Sequence, residues 1–442
     1  IKLGKGMNNQ VLLTMVQFLL LINVVIALLF NKDGSLFNGM FLSGQLIGFQ
    51  KAILGLGVYI ISLSLSGWFN RCVHPAEFLM LMLSSLLGMN FLISSGNMLM
   101  LFLALELATI PVAVLANFEP DKKRSSEAAM KMILSSAFSS GIFLFGISLV
   151  YGATGTLDFK ELAAAITFNN LQIVAFVFVF SAFAFKLSVI PFHLWTADVY
   201  EGAPIPVTSF LSVISKGSVA FILLTVLYKV LSPLSDLWYQ TVVWLSVLTM
   251  IIGNLFAIRQ TNIKRFLAFS SIAQVGFILV GMSSGAAAGS ASVTFFILVY
   301  LFSNLAAFVV AGILAEQTGK ENIFDYRGLY RSDPFMAWMM ALALFSLAGI
   351  PPTAGFFGKL FLLASGASKG NIWFITIAAL NMVVSLYYYL RIIRLMFMEE
   401  PDALRQPMQI NQPLRFSLII CAVGIVFTGI FSWVYEYIHQ LG

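Results

Sequence analysis

The chain has 442 residues, of which 60% are hydrophobic and 10% charged, with a mean hydropathy of +0.93. Soluble domains carry about a quarter charged residues, so this composition excludes a water-clothed globule. The net charge of +6 does not point to nucleic acid, because the basic residues stand in loops flanking apolar runs rather than in one stripe.

A helical span needs about 20 apolar residues to cross roughly 30 Å of hydrocarbon. The length therefore allows a dozen or more spans and leaves no room for a separate soluble domain. In lipid every backbone polar group must be satisfied within its own segment. The apolar runs are long and continuous, unlike the short alternating segments of an outer-membrane barrel. The expected fold class is an all-α polytopic membrane protein.

Taken in chain order, about thirteen spans are predicted, near 11–30, 50–68, 76–94, 98–118, 129–151, 171–195, 205–231, 241–258, 263–284, 291–315, 334–366, 371–397 and 414–438. The run 334–366 is too long for one straight crossing at about 1.5 Å per residue. It holds Gly349-Ile350-Pro351-Pro352, and paired prolines remove amide donors and clash with the preceding turn. Pro191 interrupts 171–195 in the same way. Both are expected to be broken helices.

With alternating spans, one side receives Arg71, Lys122, Lys123, Arg124, Arg259, Lys264, Arg265, Lys320, Arg327, Arg331, Arg391, Arg394 and Arg405. The other receives little beyond Lys32, Lys51, Lys160 and Lys369. The basic side is cytoplasmic by the positive-inside rule, which puts the start of the first span inside and the C-terminus outside. The breaks fall in the fourth member of two runs of five spans. An odd-numbered unit repeated in tandem comes out inverted, and interrupted helices at matching positions of inverted halves point to a transport site. The expected divisions are 1–75 for N-terminal helices, 76–231 and 241–397 for the two repeats, and 398–442 for a loop and last helix.

An ionisable group at bilayer depth is costly unless paired or hydrated, and marks function by default. Glu106 lies mid-span among apolar neighbours; its structural alternative is a helix–helix clamp paired with a lysine. Lys186 precedes the break at Pro191, where freed carbonyls and water would shelter an ammonium. Lys216 is near the centre of its span, and Lys359 follows the double proline by about two turns. Lys131 lies close enough to the start of its span to snorkel.

Loss of water disfavours the charged form of a lysine, while a nearby carboxylate favours it. A Glu–Lys pair that opens and closes can therefore switch a lysine between holding and releasing a proton. Ser215, Gln274, Tyr300, Ser303, Asn304 and Tyr388 are candidate intervening groups, or interhelical hydrogen-bond glue. His193 follows the first break, as a titrating group or a satisfied interfacial one. Asp198 and Glu201 flank a turn, where helix capping is favoured over proton funnelling.

Cys72 and Cys421 have neither metal-ligand nor disulfide-framework spacing. No dinucleotide fingerprint, Walker A motif, C-x-x-C cluster or H-E-x-x-H appears, so the chain shows no means of binding nucleotide, haem or an iron–sulfur cluster. No cofactor or metal site is expected in it.

The stretch Phe185-Lys186-Leu187-Ser188-Val189-Ile190-Pro191-Phe192-His193-Leu194-Trp195-Thr196-Ala197-Asp198-Val199-Tyr200-Glu201-Gly202-Ala203-Pro204 resembles the signature of the N-subunit family of bacterial NADH–quinone oxidoreductase, respiratory complex I. That family is similar to mitochondrial chain 2 and plastid subunit 2. Gln260-Thr261-Asn262-Ile263-Lys264-Arg265-Phe266-Leu267-Ala268-Phe269-Ser270-Ser271-Ile272, Tyr326-Arg327-Gly328-Leu329, Ser346–Pro352 and Leu386–Arg391 also match.

The resemblance implies an antiporter-like membrane-arm subunit with two inverted five-helix bundles. It implies a proton relay of Glu106, Lys186, Lys216 and Lys359, with Lys131 as a further lysine. Lysine at 359 favours the N-type over the M-type paralogue, and lysine at 216 disfavours the L-type. NAD, FMN, iron–sulfur clusters and quinone are then expected in partner subunits. The partners are other membrane-arm subunits, the lipid bilayer and protons, with no nucleic acid, in a bacterial inner membrane. The competing resemblance is to a subunit of a multi-subunit monovalent cation/proton antiporter. Bacterial members have fourteen helices, so a first helix upstream of Ile1 is expected.

Overall fold

The computed structural model describes residues 8–69, 72–167, 169–285, 287–400, 408–431 and 433–442. Arg71 and Arg405 of the basic side lie outside them. Helix α1 (Asn9–Leu29) starts where the Asn8 side chain accepts from the amide of Gln10, relieving one of the orphan donors at a helix start. A short antiparallel hairpin follows, β1 (Gly34–Leu36) and β2 (Phe41–Ser43). It departs from the all-α expectation. Phe37, Asn38 and Gly39 all take left-handed backbone conformations at its turn; Asn and Gly tolerate this readily, a bulky Phe rarely. The amide of Leu42 donates to the Ser94 carbonyl, pinning the hairpin to the turn between two later spans.

Helix α2 (Gln45–Ser64) and the short α3 (Ser66–Phe69) complete the leading segment. The first run of five spans is α4 (Pro75–Ile93), α5 (Met98–Leu115), α6 (Lys123–Thr154), the broken pair α8 (Asn170–Leu187) and α9 (Leu194–Gly202), and a rod over Ile205–Val230. The small α7 (Phe159–Ala165) bridges α6 and α8. The rod joins α10 (Ile205–Ser209) to α11 (Lys216–Thr225) through a π-helical stretch, Phe210–Ser215, and a second follows at Val226–Val230.

The second run is α12 (Ser235–Arg259), α13 (Ile263–Met282), α14 (Ala287–Thr318), the broken pair α16 (Pro334–Ala348) and α17 (Ala354–Gly366), and α18 (Ile372–Met398). A single turn, α15 (Leu329–Ser332), precedes the break-bearing pair. Helix α19 (Gln412–Ile430) ends well before residue 438, and α20 (Trp433–Leu441) is separate and carries Glu436 and His439. The expected span 414–438 is thus one span plus a short amphipathic helix. The aromatic residues Phe431, Trp433 and Tyr435 disguised that boundary by extending the apolar run.

Twelve described helices are long and apolar enough to cross a membrane, and the α16/α17 pair supplies the thirteenth crossing. Burial separates them sharply. Helices α13 and α14 are almost wholly enclosed, whereas α1 and α18 leave most of their residues less than fully buried. Exposed Phe18, Leu29, Phe138, Trp244 and Val383 are at home only against lipid. The core therefore runs along α13, α14 and the rod, and the ionisable groups of interest lie around it.

The two runs share one plan. In each, the fourth member breaks where its first half ends on a left-handed residue, Ser188 at φ 64° and Gly349 at φ 83°. The following amides fold back alike: Val189 onto the Ala184 carbonyl and Ile350 onto that of Phe345. This two-bond return is the usual way a helix end satisfies its last carbonyls.

Candidate functional site

Glu106 and Lys186 face one another across three helices without touching. Glu106, half-buried on α5, accepts a short hydrogen bond from the Ser140 hydroxyl of α6. Lys186, in the last turn of α8, donates to Ser136 Oγ at 2.6 Å and to Thr109 Oγ1 at 3.1 Å. Ser136 and Ser140 are one turn apart on α6, and Glu106 and Thr109 are neighbours on α5. Hydroxyls thus stand between the carboxylate and the ammonium. The carboxylate and the ammonium each bond a different serine of α6 and are not in direct contact.

Lys186 also does not use the carbonyls freed by the break. Trp195 Nε1 takes the Phe185 carbonyl at 3.1 Å, and the two rings stack. The Thr196 hydroxyl bonds that of Ser188 at 2.6 Å. The first break is closed by its own downstream side chains, which leaves the ammonium to the α5 and α6 hydroxyls.

Lys131 lies elsewhere. Its side chain is 42% exposed and pairs with Asp198 at 2.6 Å and Glu127 at 2.7 Å. Arg265 of α13 holds Asp198 at 2.8 Å and Glu201 at 2.7 Å, and Arg124 reaches Glu201 at 3.7 Å. Asp198 and Glu201 sit within α9 and do not cap the next helix, whose start is Pro204 with no side-chain cap. Their carboxylates turn instead to cations from α6 and α13. Lys264–Glu321, Arg327–Glu399 and Arg331–Glu400 make further pairs. These contacts collect several loops of the basic side at one end of the molecule.

Lys216 is 2% exposed and sits at the junction between a π-helical stretch and α11. It donates to the Ser271 hydroxyl of α13 at 2.8 Å, and its Nζ lies 5.5 Å from the centre of the Tyr200 ring. Lys359, 1% exposed on α17, donates to the Leu347 carbonyl at 2.7 Å and lies 4.8 Å from the Phe277 ring centre. It therefore caps the C-terminal end of α16, where a cation complements the helix dipole. Both lysines rest on neutral acceptors, so release of a proton from either leaves no unpaired carboxylate behind.

Helix α13 joins these two lysines. Ser271 touches Lys216; one turn on, Gln274 donates to the same Leu347 carbonyl that Lys359 uses, at 3.1 Å; one turn further, Phe277 underlies Lys359. A small cavity beside Lys359 is lined by Gln274, Tyr300, Ser303, Ser346 and Leu347. The Oε1 of Gln274 has no partner among the described residues, and the buried hydroxyls of Tyr200 and Tyr300 both approach Ser271. Buried polar atoms of this kind normally find water.

The remaining candidates divide. Ser303 bonds Ser346 at 2.7 Å beside that cavity, and Asn304 donates to Ser212 at 2.8 Å. Tyr388 donates to Asn254, which in turn holds Asn381; this is helix–helix glue away from the lysines. Ser215 makes no side-chain hydrogen bond with them among the described residues, and His193 occupies the position before α9 without capping it. Ser136, Ser140, Thr109 and Ser271 were missed from sequence. The cluster Ser135-Ser136 and Ser139-Ser140 in an apolar helix was the available signal.

Residues 95–385 match the family model described as NADH:quinone oxidoreductase/Mrp antiporter, transmembrane. Proteins named NADH-quinone oxidoreductase subunit N are 46% identical to the chain in both Azobacteroides pseudotrichonymphae and Phocaeicola vulgatus. Each comparison covers 93% of this chain, and 87% and 88% of the respective relative. Among solved structures, a chain of Thermus thermophilus respiratory complex I is similar at TM-score 0.85 and 28% identity, covering 100% of this chain and 96% of that one. A chain of an Mrp complex from a Dietzia species shares the fold at TM-score 0.88 but 20% identity, covering 98% and 92%.

Proposed function

Because the chain belongs to the family of NADH-quinone oxidoreductase subunit N, we propose that it conducts protons across the membrane through Glu106, Lys186, Lys216 and Lys359. Its place is the membrane arm of a respiratory complex I, multi-pass in a bacterial inner membrane, beside other membrane-arm subunits. NAD, FMN, iron–sulfur clusters and quinone belong to partner subunits on this reading. The chain is then a non-redox part of a translocating oxidoreductase, and 76–231 and 241–397 are its two inverted halves.

The observation that carries the reading is the placement of three lysines at 8% exposure or less, on neutral acceptors, around two broken helices. A passive scaffold has little use for them, since buried ionic groups are commonly replaceable by apolar packing at no loss of stability. At the first cage, Glu106 is near enough to influence Lys186, yet hydroxyls separate them. Small helix movements would tighten or loosen that coupling and so bias Lys186 toward holding or releasing a proton. From Lys216, Ser271 and Gln274 offer successive polar steps along α13 to Lys359. Lys131 enters as the outermost member, tied to Asp198 at the basic end.

The second reading, a subunit of a multi-subunit monovalent cation/proton antiporter, draws on the shared family model and the Mrp fold. The relatives at 46% identity favour the first. Glu106→Ala is the test: the assembled complex in proteoliposomes is expected to move fewer protons per electron. An unchanged ratio in an assembled mutant would end the relay model.

A further inference from the structure

The two runs can be aligned on backbone features alone. Asn97 caps α5 and Asn262 caps α13, each bonding amides just downstream. Asn97 bridges Asp158, and Asn262 bridges Asn322, after the long helices α6 and α14 of 32 residues each. Gly88 of α4 presses on the backbone of Ala108, leaving no room for a Cβ; Gly253 of α12 presses likewise on Ala273. Counted from these markers, Glu106 stands opposite Ser271 and Thr109 opposite Gln274. Ser136 stands opposite Tyr300. Counted from the left-handed residues at the breaks, Lys186 stands opposite Leu347, and Lys359 opposite Asp198.

The lysines are therefore not counterparts in sequence, although the breaks beside them are. Lys186 precedes its break and reaches Thr109 and Ser136. Lys359 follows its break, folds back onto the carbonyl of Leu347, the counterpart of Lys186, and meets Gln274 there. Gln274 is 1% exposed, and its amide orientation is fixed because a carbonyl can only accept. Its Nε2 is committed to Leu347 and to the Tyr389 hydroxyl, both at 3.1 Å. Its Oε1 has no partner among the described residues, and Gln274 is one of the residues lining the cavity beside Lys359.

We infer that the two broken helices deliver their ammonium groups to matching cages from opposite sides of the break, and that Gln274 is the residue positioning Lys359, as Thr109 positions Lys186. Gln274 ties α13 to the end of α16 and shares the acceptor of the ammonium. Its unpartnered oxygen offers a second acceptor, to which Lys359 can turn directly or through water. The inference rests on Lys359 belonging to the relay.

The test uses the intact complex in proteoliposomes, with proton-to-electron ratio and assembly both measured. Lys359→Leu should lower the ratio; a wild-type ratio would mean that Lys359 is outside the relay, which refutes the proposed function at this residue. The double variant Leu347→Lys/Lys359→Leu should recover at least half of what Lys359→Leu loses, because its new ammonium starts from the counterpart of Lys186. An assembled double no better than Lys359→Leu overturns the matching-cage inference. Gln274→Met, close in volume but without polar atoms, should lower the ratio in the wild-type background and abolish recovery in the double. A wild-type ratio in Gln274→Met overturns its positioning role, and decides that point even if the double fails to assemble.

Discussion

In the first run of helices Lys186 shares its surroundings with the carboxylate of Glu106; in the second, that carboxylate's place is taken by Ser271, and Lys359 rests on a backbone carbonyl. One scaffold thus carries two electrical arrangements. Where a carboxylate is near, its distance sets how firmly the lysine holds charge, so helix movement acts through Coulomb interaction. Where only neutral dipoles are near, charge is governed by access of water and acceptors. On the proposed relay, the first half is the one that is switched and the second passes on what it receives.

That contrast can be broken at graded cost. The largest effect is expected from Lys186→Met, which removes the group that Glu106 controls. Proton translocation should fall about a hundredfold, at the low end of what a positioned proton-transfer group contributes, as read from acidification rates in proteoliposomes.

Ser271→Glu would give the second half the carboxylate of the first. It should lock Lys216 in an ion pair and slow translocation several-fold in a complex that still assembles. Translocation at the wild-type rate would show that a neutral acceptor at this point is not needed.

Ser136→Ala removes a hydrogen bond of 2.6 Å to an ammonium. Hydrogen bonds to charged groups contribute about 1.5–3 kcal/mol; Thr109 remains, so the lower end is expected, seen as a reduced denaturation midpoint together with slower translocation.

Asp198→Asn should have the smallest effect. Its partners Lys131 and Arg265 are substantially exposed, and such pairs give about 1 kcal/mol or less. A small loss of thermal stability that shrinks with added salt is the expected result.

What was legible in the sequence follows from contrast with lipid. Charged residues in apolar runs and prolines inside long spans violate hydropathy, so Glu106, the three lysines and both breaks were visible at once. Their partners were not. Serine and threonine bond their own helix backbone as readily as a neighbour, as Thr109 does with the Leu105 carbonyl, so the hydroxyl partners of Glu106 and Lys186 needed coordinates. The π-helical stretch leading to Lys216 has no compositional mark. Asp198 and Glu201 read as capping residues because sequence offered no view of Arg265, far along the chain, closing on both.

Lys216 offers the most direct trial of the whole account, since it lies on the last helix of the first half, bonds Ser271 of the second, and has no carboxylate and no surface to reach. The decisive measurement is the proton-to-electron ratio of the assembled complex carrying Lys216→Ala, in sealed proteoliposomes during quinone reduction. A lowered ratio with assembly intact is the predicted result. A ratio equal to wild type would contradict proton passage through these lysines.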